Sequence, residues 1–123
     1  MDYQDFMKEI AVGIRNQYSQ ISYPILFKVS PFEEIMLPMS DGMKLRTRIY
    51  KPDGVEHPLP VVIQRCCYPQ NELFLEIHGE EYAKRGIAFV YQYCRGTGGS
   101  EGEWEPNENE RCDGADTLAW LCD

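Results

Sequence analysis

The sequence predicts an α/β chain in which an antiparallel hairpin leads into a parallel β-α-β-α run that stops before a full sheet is built. Two patterns predict it. Residues 43 to 50 alternate, with Met43, Leu45, Thr47 and Ile49 on one face and Lys44, Arg46 and Arg48 on the other, as a half-buried strand requires. Pro60-Val61-Val62-Ile63 and Ile87-Ala88-Phe89-Val90-Tyr91 are instead short continuous apolar runs separated by a helix-like stretch, the pattern of parallel strands covered on both faces.

Residues 3 to 19 read as an amphipathic helix, because Phe6, Ile10 and Ile14 recur at four-residue spacing with Met7 and Ala11 beside them. Pro24 and Pro31 mark residues 20 to 32 as a linker, so the chain divides into residues 1–32, a helix and linker, and residues 33–123, the α/β portion. Glu33 to Met39 is the first hairpin strand, and Ser40-Asp41-Gly42 supplies turn chemistry. Lys51-Pro52-Asp53-Gly54 breaks the second strand. Glu80 to Arg85 is helix-like, with Gly86 where a C-terminal cap belongs. A glycine-rich loop covers Arg95 to Gly102, and a last helix spans Arg111 to Cys122 with Ala115, Leu118, Ala119 and Cys122 on one side.

A 43% hydrophobic share is that of a globular chain. Twelve Lys and Arg against 20 Asp and Glu give a net charge of -8, which disfavours a nucleic acid partner because phosphate binding rests on clustered cations. No apolar stretch is long enough for a membrane span or a signal peptide. An odd count of five cysteines without an export signal favours reduced thiols and a cytoplasmic setting. No C-x2-C spacing suggests a metal, and no cofactor is expected.

Four segments resemble a known family. They are Pro38-Met39-Ser40-Asp41-Gly42-Met43-Lys44-Leu45 with Ile49-Tyr50-Lys51-Pro52; Leu59-Pro60-Val61-Val62-Ile63 running to Tyr68-Pro69; Ala83-Lys84-Arg85-Gly86 through Arg95-Gly96-Thr97-Gly98-Gly99-Ser100-Glu101-Gly102-Glu103; and Asp113-Gly114-Ala115-Asp116-Thr117-Leu118-Ala119-Trp120. In this order they resemble the opening of serine hydrolases of the X-prolyl dipeptidyl-peptidase and cocaine-esterase type, over roughly residues 33 to 123. The chain departs from that pattern at Tyr93-Cys94, where the family usually has an Asp, and at Cys67-Tyr68-Pro69 in place of Pro-Tyr.

The resemblance implies the N-terminal part of an α/β-hydrolase sheet, incomplete and ending before the nucleophile strand. It also implies hydrolysis of acyl esters, amides or X-prolyl peptides by the complete enzyme. Tyr68 matches the family's oxyanion-hole tyrosine, a neutral donor aimed at charge developing on a carbonyl oxygen; the alternative is a loop tyrosine that packs its ring. His57 and His78 both precede any plausible nucleophile, so a triad in the fold's Ser, Asp, His order does not fit within these residues.

Gly98-Gly99-Ser100-Glu101-Gly102 is a literal G-x-S-x-G, but it lacks a strand directly before it and a helix directly after it, and reads as a turn. Cys66 and Cys67 read as structural, and Arg95 as pairing with Asp113 or Asp116. Trp120 reads as core packing, and the acidic run from Glu101 to Glu110 as a solvated surface. A non-catalytic α/β binding module remains the competing reading. In either case, a strand at Val61 to Ile63 without its outer neighbour leaves an open edge that invites self-association.

Overall fold

The alternation along residues 43 to 50 forms a strand, and the run of β-branched residues beginning at Val61 forms another. The computed structural model describes residues 2–122, in the order α1 (Tyr3–Ser19), β1 (Glu33–Pro38), β2 (Lys44–Tyr50), β3 (Val61–Cys66), a 3-10 turn (Pro69–Asn71), α2 (Glu72–Lys84), β4 (Ala88–Tyr93) and α3 (Glu110–Leu121). The sheet order is β1-β2-β4-β3. β1 and β4 run antiparallel to β2, and β3 runs parallel to β4 with Val61 opposite Ala88 and Cys66 opposite Tyr93. The expected hairpin and β-α-β unit are both present, with β3 at an edge.

The turn at Ser40-Asp41-Gly42 forms as its residue types dictate: Asp41 accepts the Met43 N–H at 3.1 Å, and Met39 N–H donates to the Met43 carbonyl at 2.8 Å. Gly86 ends α2 in the left-handed region at φ 89, while the Ile87 and Gly86 N–H groups return to the carbonyls of Tyr82 and Ala83. This is the reciprocal glycine cap that satisfies orphan helix carbonyls. Residues 21 to 32 are more than a linker. The N–H groups of Leu26 and Phe27 both donate to the Lys84 carbonyl at 2.9 and 3.0 Å, and Arg85 donates to the carbonyls of Tyr23 and Tyr18.

Four expectations are corrected. The predicted helix at Glu80 to Arg85 begins at Glu72. It lies between two layers: Gly79 abuts the Tyr50 ring of β2, while Tyr18 of α1 packs on His78 and Tyr82. A helix covered on both sides shows no single apolar stripe. In α1, Met7 and Ala11 are buried and Phe6 is exposed, so the face turned inward is displaced from the one predicted.

The polar face of β2 is also covered. Arg48 is buried beneath α2, with Glu34 and Glu76 as partners at 3.1 Å and the Phe32 ring 4.0 Å from its guanidinium carbon. In α3 the buried residues are Asp113 and Thr117, whereas Ala115, Leu118, Ala119, Cys122 and Trp120 are exposed. The sheet beneath α3 presents Gln92 and Arg65, so the helix meets it through matching polar groups. Trp120 is therefore not a core residue.

Candidate functional site

Parallel strands deliver their loops to a common end, and in α/β sheets ligands gather outside the carboxyl ends of such strands. β3 and β4 both end there. β3 runs into Cys67 and Tyr68, and β4 runs into Cys94, Arg95 and the glycine loop.

Tyr68 follows the end of β3 and precedes the 3-10 turn that opens α2. Its N–H donates to Cys66 Sγ at 3.3 Å and its carbonyl accepts from Asn71 N–H at 3.0 Å. The backbone is thereby pinned while the residue stays 56% exposed. A pocket of about 370 Å³ opens beside it, lined by Cys66, Cys67, Asn71, Phe74 and His78 among others.

Ser100 belongs to a brace. Its hydroxyl donates to the Tyr93 carbonyl at 2.8 Å and accepts the Arg46 N–H at 2.9 Å, tying the end of β4 to β2. Glu101 continues the tie, exchanging bonds with Lys44 at 2.9 Å. Gly98 occupies the left-handed region, and a Cβ there would lie 2.3 Å from the Tyr93 ring. The loop can thus close over that tyrosine only with glycine at this position. His78 sits within α2, where Nδ1 meets the Tyr18 hydroxyl, and His57 bonds the Pro58 carbonyl at 3.0 Å in the loop after β2.

A polar network stands on the α3 side of the sheet, and sequence reasoning found only one pair of it. Arg95 pairs with Asp113 at 2.9 and 2.7 Å, as expected, and also with Asp41 at 2.7 Å. Asp116, the other expected partner, instead accepts from the Ser40 N–H and hydroxyl at 2.9 and 2.6 Å. Arg65 reaches Gln92 at 2.8 Å and the Glu110 carboxylate, with Asp113 4.0 Å away. Gln92 in turn bonds Thr47 and Thr117. The only sequence signal for Arg65 was a charge at the end of an apolar strand. Glu110 and Glu101 are engaged in bonds, so the acidic run is only partly a solvated surface. Among the described residues no group of three His, Cys, Asp or Glu side chains is arranged to hold a metal, and no helix is long and apolar enough to cross a membrane.

These carboxylates set the response to pH. Hydrogen bonds from Arg95 hold Asp41 below the usual carboxylate range, and the Ser40 hydroxyl does the same for Asp116. Burial pushes Glu34 and Glu81 upward, but bonds from Arg48 and Arg46 to the first, and from Arg85 and Lys84 to the second, outweigh it and leave both lowered. Burial lowers His78. In every case the unfolded chain binds protons more readily, so the stability these groups add is present at higher pH and lost as pH falls. The melting midpoint is expected to hold above about pH 6.5, decline below it as unfolded histidine protonates, and fall steeply below about pH 4. Thermal melts from pH 3 to 8 read this directly. A midpoint that rises between about pH 7 and 5 contradicts it.

Comparison with known proteins agrees with this architecture. A family model described as X-Pro dipeptidyl-peptidase (S15 family) matches residues 41–123. The cocaine esterase of Rhodococcus sp. (strain MB1 Bresler) is 35% identical over 91 residues, which is 71% of this chain and 16% of that protein. Among solved structures, an α-amino acid ester hydrolase labelled with selenomethionine superposes with a TM-score of 0.57 at 26% identity, over 77% of this chain and 19% of that one. Brefeldin A esterase, with a TM-score of 0.53 at 19% identity over 93% of this chain and 33% of that one, shares the fold. The 123 residues thus span a small part of each of these relatives.

Proposed function

The chain belongs to the X-Pro dipeptidyl-peptidase (S15) family, and from that membership we propose that it forms the N-terminal portion of a serine hydrolase cleaving acyl esters, amides or X-prolyl peptides through an acyl-enzyme. Within it Tyr68 donates to the oxyanion, and the nucleophile, acid and base come from residues other than these. The observation that carries the reading is Tyr68 itself, backbone pinned and side chain exposed, at the carboxyl end of a parallel strand. Residues 33–123 are read as the hydrolase portion, and residues 1–32 as an N-terminal addition that braces α2.

Ser100 is not assigned as nucleophile, because its hydroxyl is already bonded on both sides and no histidine faces it among its hydrogen-bond partners. A chimera tests the proposal: this chain replaces the matching 91-residue segment of the Rhodococcus cocaine esterase, and ester hydrolysis is assayed. Activity retained in the chimera and unaffected by Ser100→Ala is the expected result. A folded chimera without activity, or one silenced by Ser100→Ala, overturns it.

The β3 edge favours a second reading, a non-catalytic binding module. Val61, Leu118 and Trp120 are 44%, 54% and 43% exposed, and Val61 and Trp120 border a groove of about 570 Å³ that runs across the sheet face past Val90 and Ile49. Unpaired strand edges with apolar side chains recruit other strands. In either reading, the isolated chain is expected to self-associate as concentration rises, and Val61→Lys to reduce it, as read by light scattering. A wild-type chain that stays monomeric throughout would remove the edge from the argument.

A further inference from the structure

Two thiols whose roles the hydrolase reading does not use stand just past the carboxyl ends of neighbouring strands. The parallel register between β3 and β4 ends with Cys66 opposite Tyr93, and the ladder continues one bond further, from Cys94 N–H to the Cys66 carbonyl at 2.9 Å. Cys94 thus follows β4 still in ladder register, and Cys67 is the bend residue directly after β3, so their backbones stand side by side. Side chains alternate along a strand, which puts Cys94 on the face of Gln92. Arg65 and Gln92 are themselves paired in register and joined at 2.8 Å. Cys94 confirms its side by reaching the Glu110 carboxylate at 3.4 Å, the same oxygen that Arg65 meets. Neighbouring strands stand about 5 Å apart, within the ~4.4–6.8 Å Cα separation that a disulfide spans.

We propose that Cys67 and Cys94 are an oxidation site that closes to a reversible disulfide, with a peroxide as the oxidant. Cys67 is the partly exposed member and borders the pocket beside Tyr68, whereas Cys94 is 4% exposed. Cys67 loses its proton and attacks the peroxide O–O bond as the thiolate; a sulfenic acid forms, and the departing hydroxide takes up that proton as one water. Cys94 sulfur, giving its proton to Glu110, then attacks the Cys67 sulfur; the S–S bond forms, the S–O bond breaks, and the oxygen leaves as a second water with the proton that Glu110 received. Two thiols thus give up two electrons, and one peroxide becomes two waters. Burial holds the Cys94 thiol up at about 12, which makes the second step the slow one. The bond ties the Tyr68 segment to the first residues of the glycine loop. Its effect on an oxyanion donor rests on the reading above, but its formation does not.

The test uses the whole chain, folded, treated with hydrogen peroxide, alkylated and digested with trypsin. Cleavage after Arg65, Lys84, Arg85 and Arg95 gives one peptide with Cys66 and Cys67 and another with Cys94. The expected product is these two peptides joined, lighter by two hydrogens and restored by dithiothreitol, with fragmentation between Cys66 and Cys67 assigning the bridge to Cys67. Because the wild-type sequence gives the assignment, no variant has to fold. A bridge from Cys66, a ring between Cys66 and Cys67, or Cys67 over-oxidised while Cys94 remains a thiol would each overturn the proposal. The same holds if no thiols are lost in the folded chain. None of these outcomes bears on the esterase chimera, so the two proposals fail separately.

Discussion

Asp113→Ala is expected to remove ~3–5 kcal/mol of folding stability, the typical cost of breaking a buried charge pair from one side. Its carboxylate is 1% exposed and takes two bonds from Arg95, with Arg65 4.0 Å away. Truncation takes a carboxylate from beside two guanidiniums that are only 12% exposed along their side chains, leaving Arg95 with the exposed Asp41 and Arg65 with Glu110. One NH2 of Arg65 already lacks a hydrogen-bond partner, so the site has no spare acceptor to offer. Small domains hold about 5–15 kcal/mol in total, and the loss is a large share of that. Urea titration followed by circular dichroism measures it. Asp116→Ala is the control: that carboxylate is bound only to Ser40 near the surface, and its loss is expected to lower the midpoint far less than Asp113→Ala does. If Asp113→Ala moves the midpoint no more than this control, Arg95 holds the glycine loop through Asp41 alone.

Tyr68→Phe, made in the active chimera, is expected to lower kcat by about 10²–10³-fold, the usual effect of removing one oxyanion donor. KM is expected to stay nearly constant, because the phenol meets charge that exists only in the transition state. Folding is expected to be unaffected. The residue is more than half exposed, and what fixes its position is the backbone bond to Cys66 Sγ, which phenylalanine keeps. A fall confined to KM would assign Tyr68 to substrate contact, and no change would leave it a loop residue.

The hairpin, the parallel pair, the Gly86 cap and the glycine loop were legible because each follows from local chemistry: strand alternation, apolar runs and left-handed turns. The first eight residues of α2 were not. Leu75 and Gly79 face the sheet, while His78 and Tyr82 meet both the Phe89 ring of β4 and Tyr18 of α1, so the apolar positions wrap around the helix. The inward face of α3 was missed for the opposite reason, since it is polar: Asp113 and Thr117 are buried because Arg95 and Gln92 wait beneath them, partners supplied by tertiary structure. Tyr68 was found through resemblance, and no periodicity marked it. Arg65 and Glu110 lie 45 positions apart, and nothing local announces that they meet.

The bracing of α2 by residues 21 to 32 has a consequence for the order in which the chain acquires structure. Arg85 meets the Tyr23 carbonyl across 62 positions, and the N–H groups of Leu26 and Phe27 find their acceptor at Lys84, whereas Ser30 bonds Lys51 after β2. During synthesis from the N-terminus residues 23 to 27 emerge well before the helix they brace, and these bonds wait until that helix is complete. Ordering of the earliest residues therefore waits on some of the later ones, as expected where long loops must close before their contacts are gained. Trimming the chain to the segment that matches the family, residues 41–123, removes those N–H donors and leaves the Lys84 carbonyl to water.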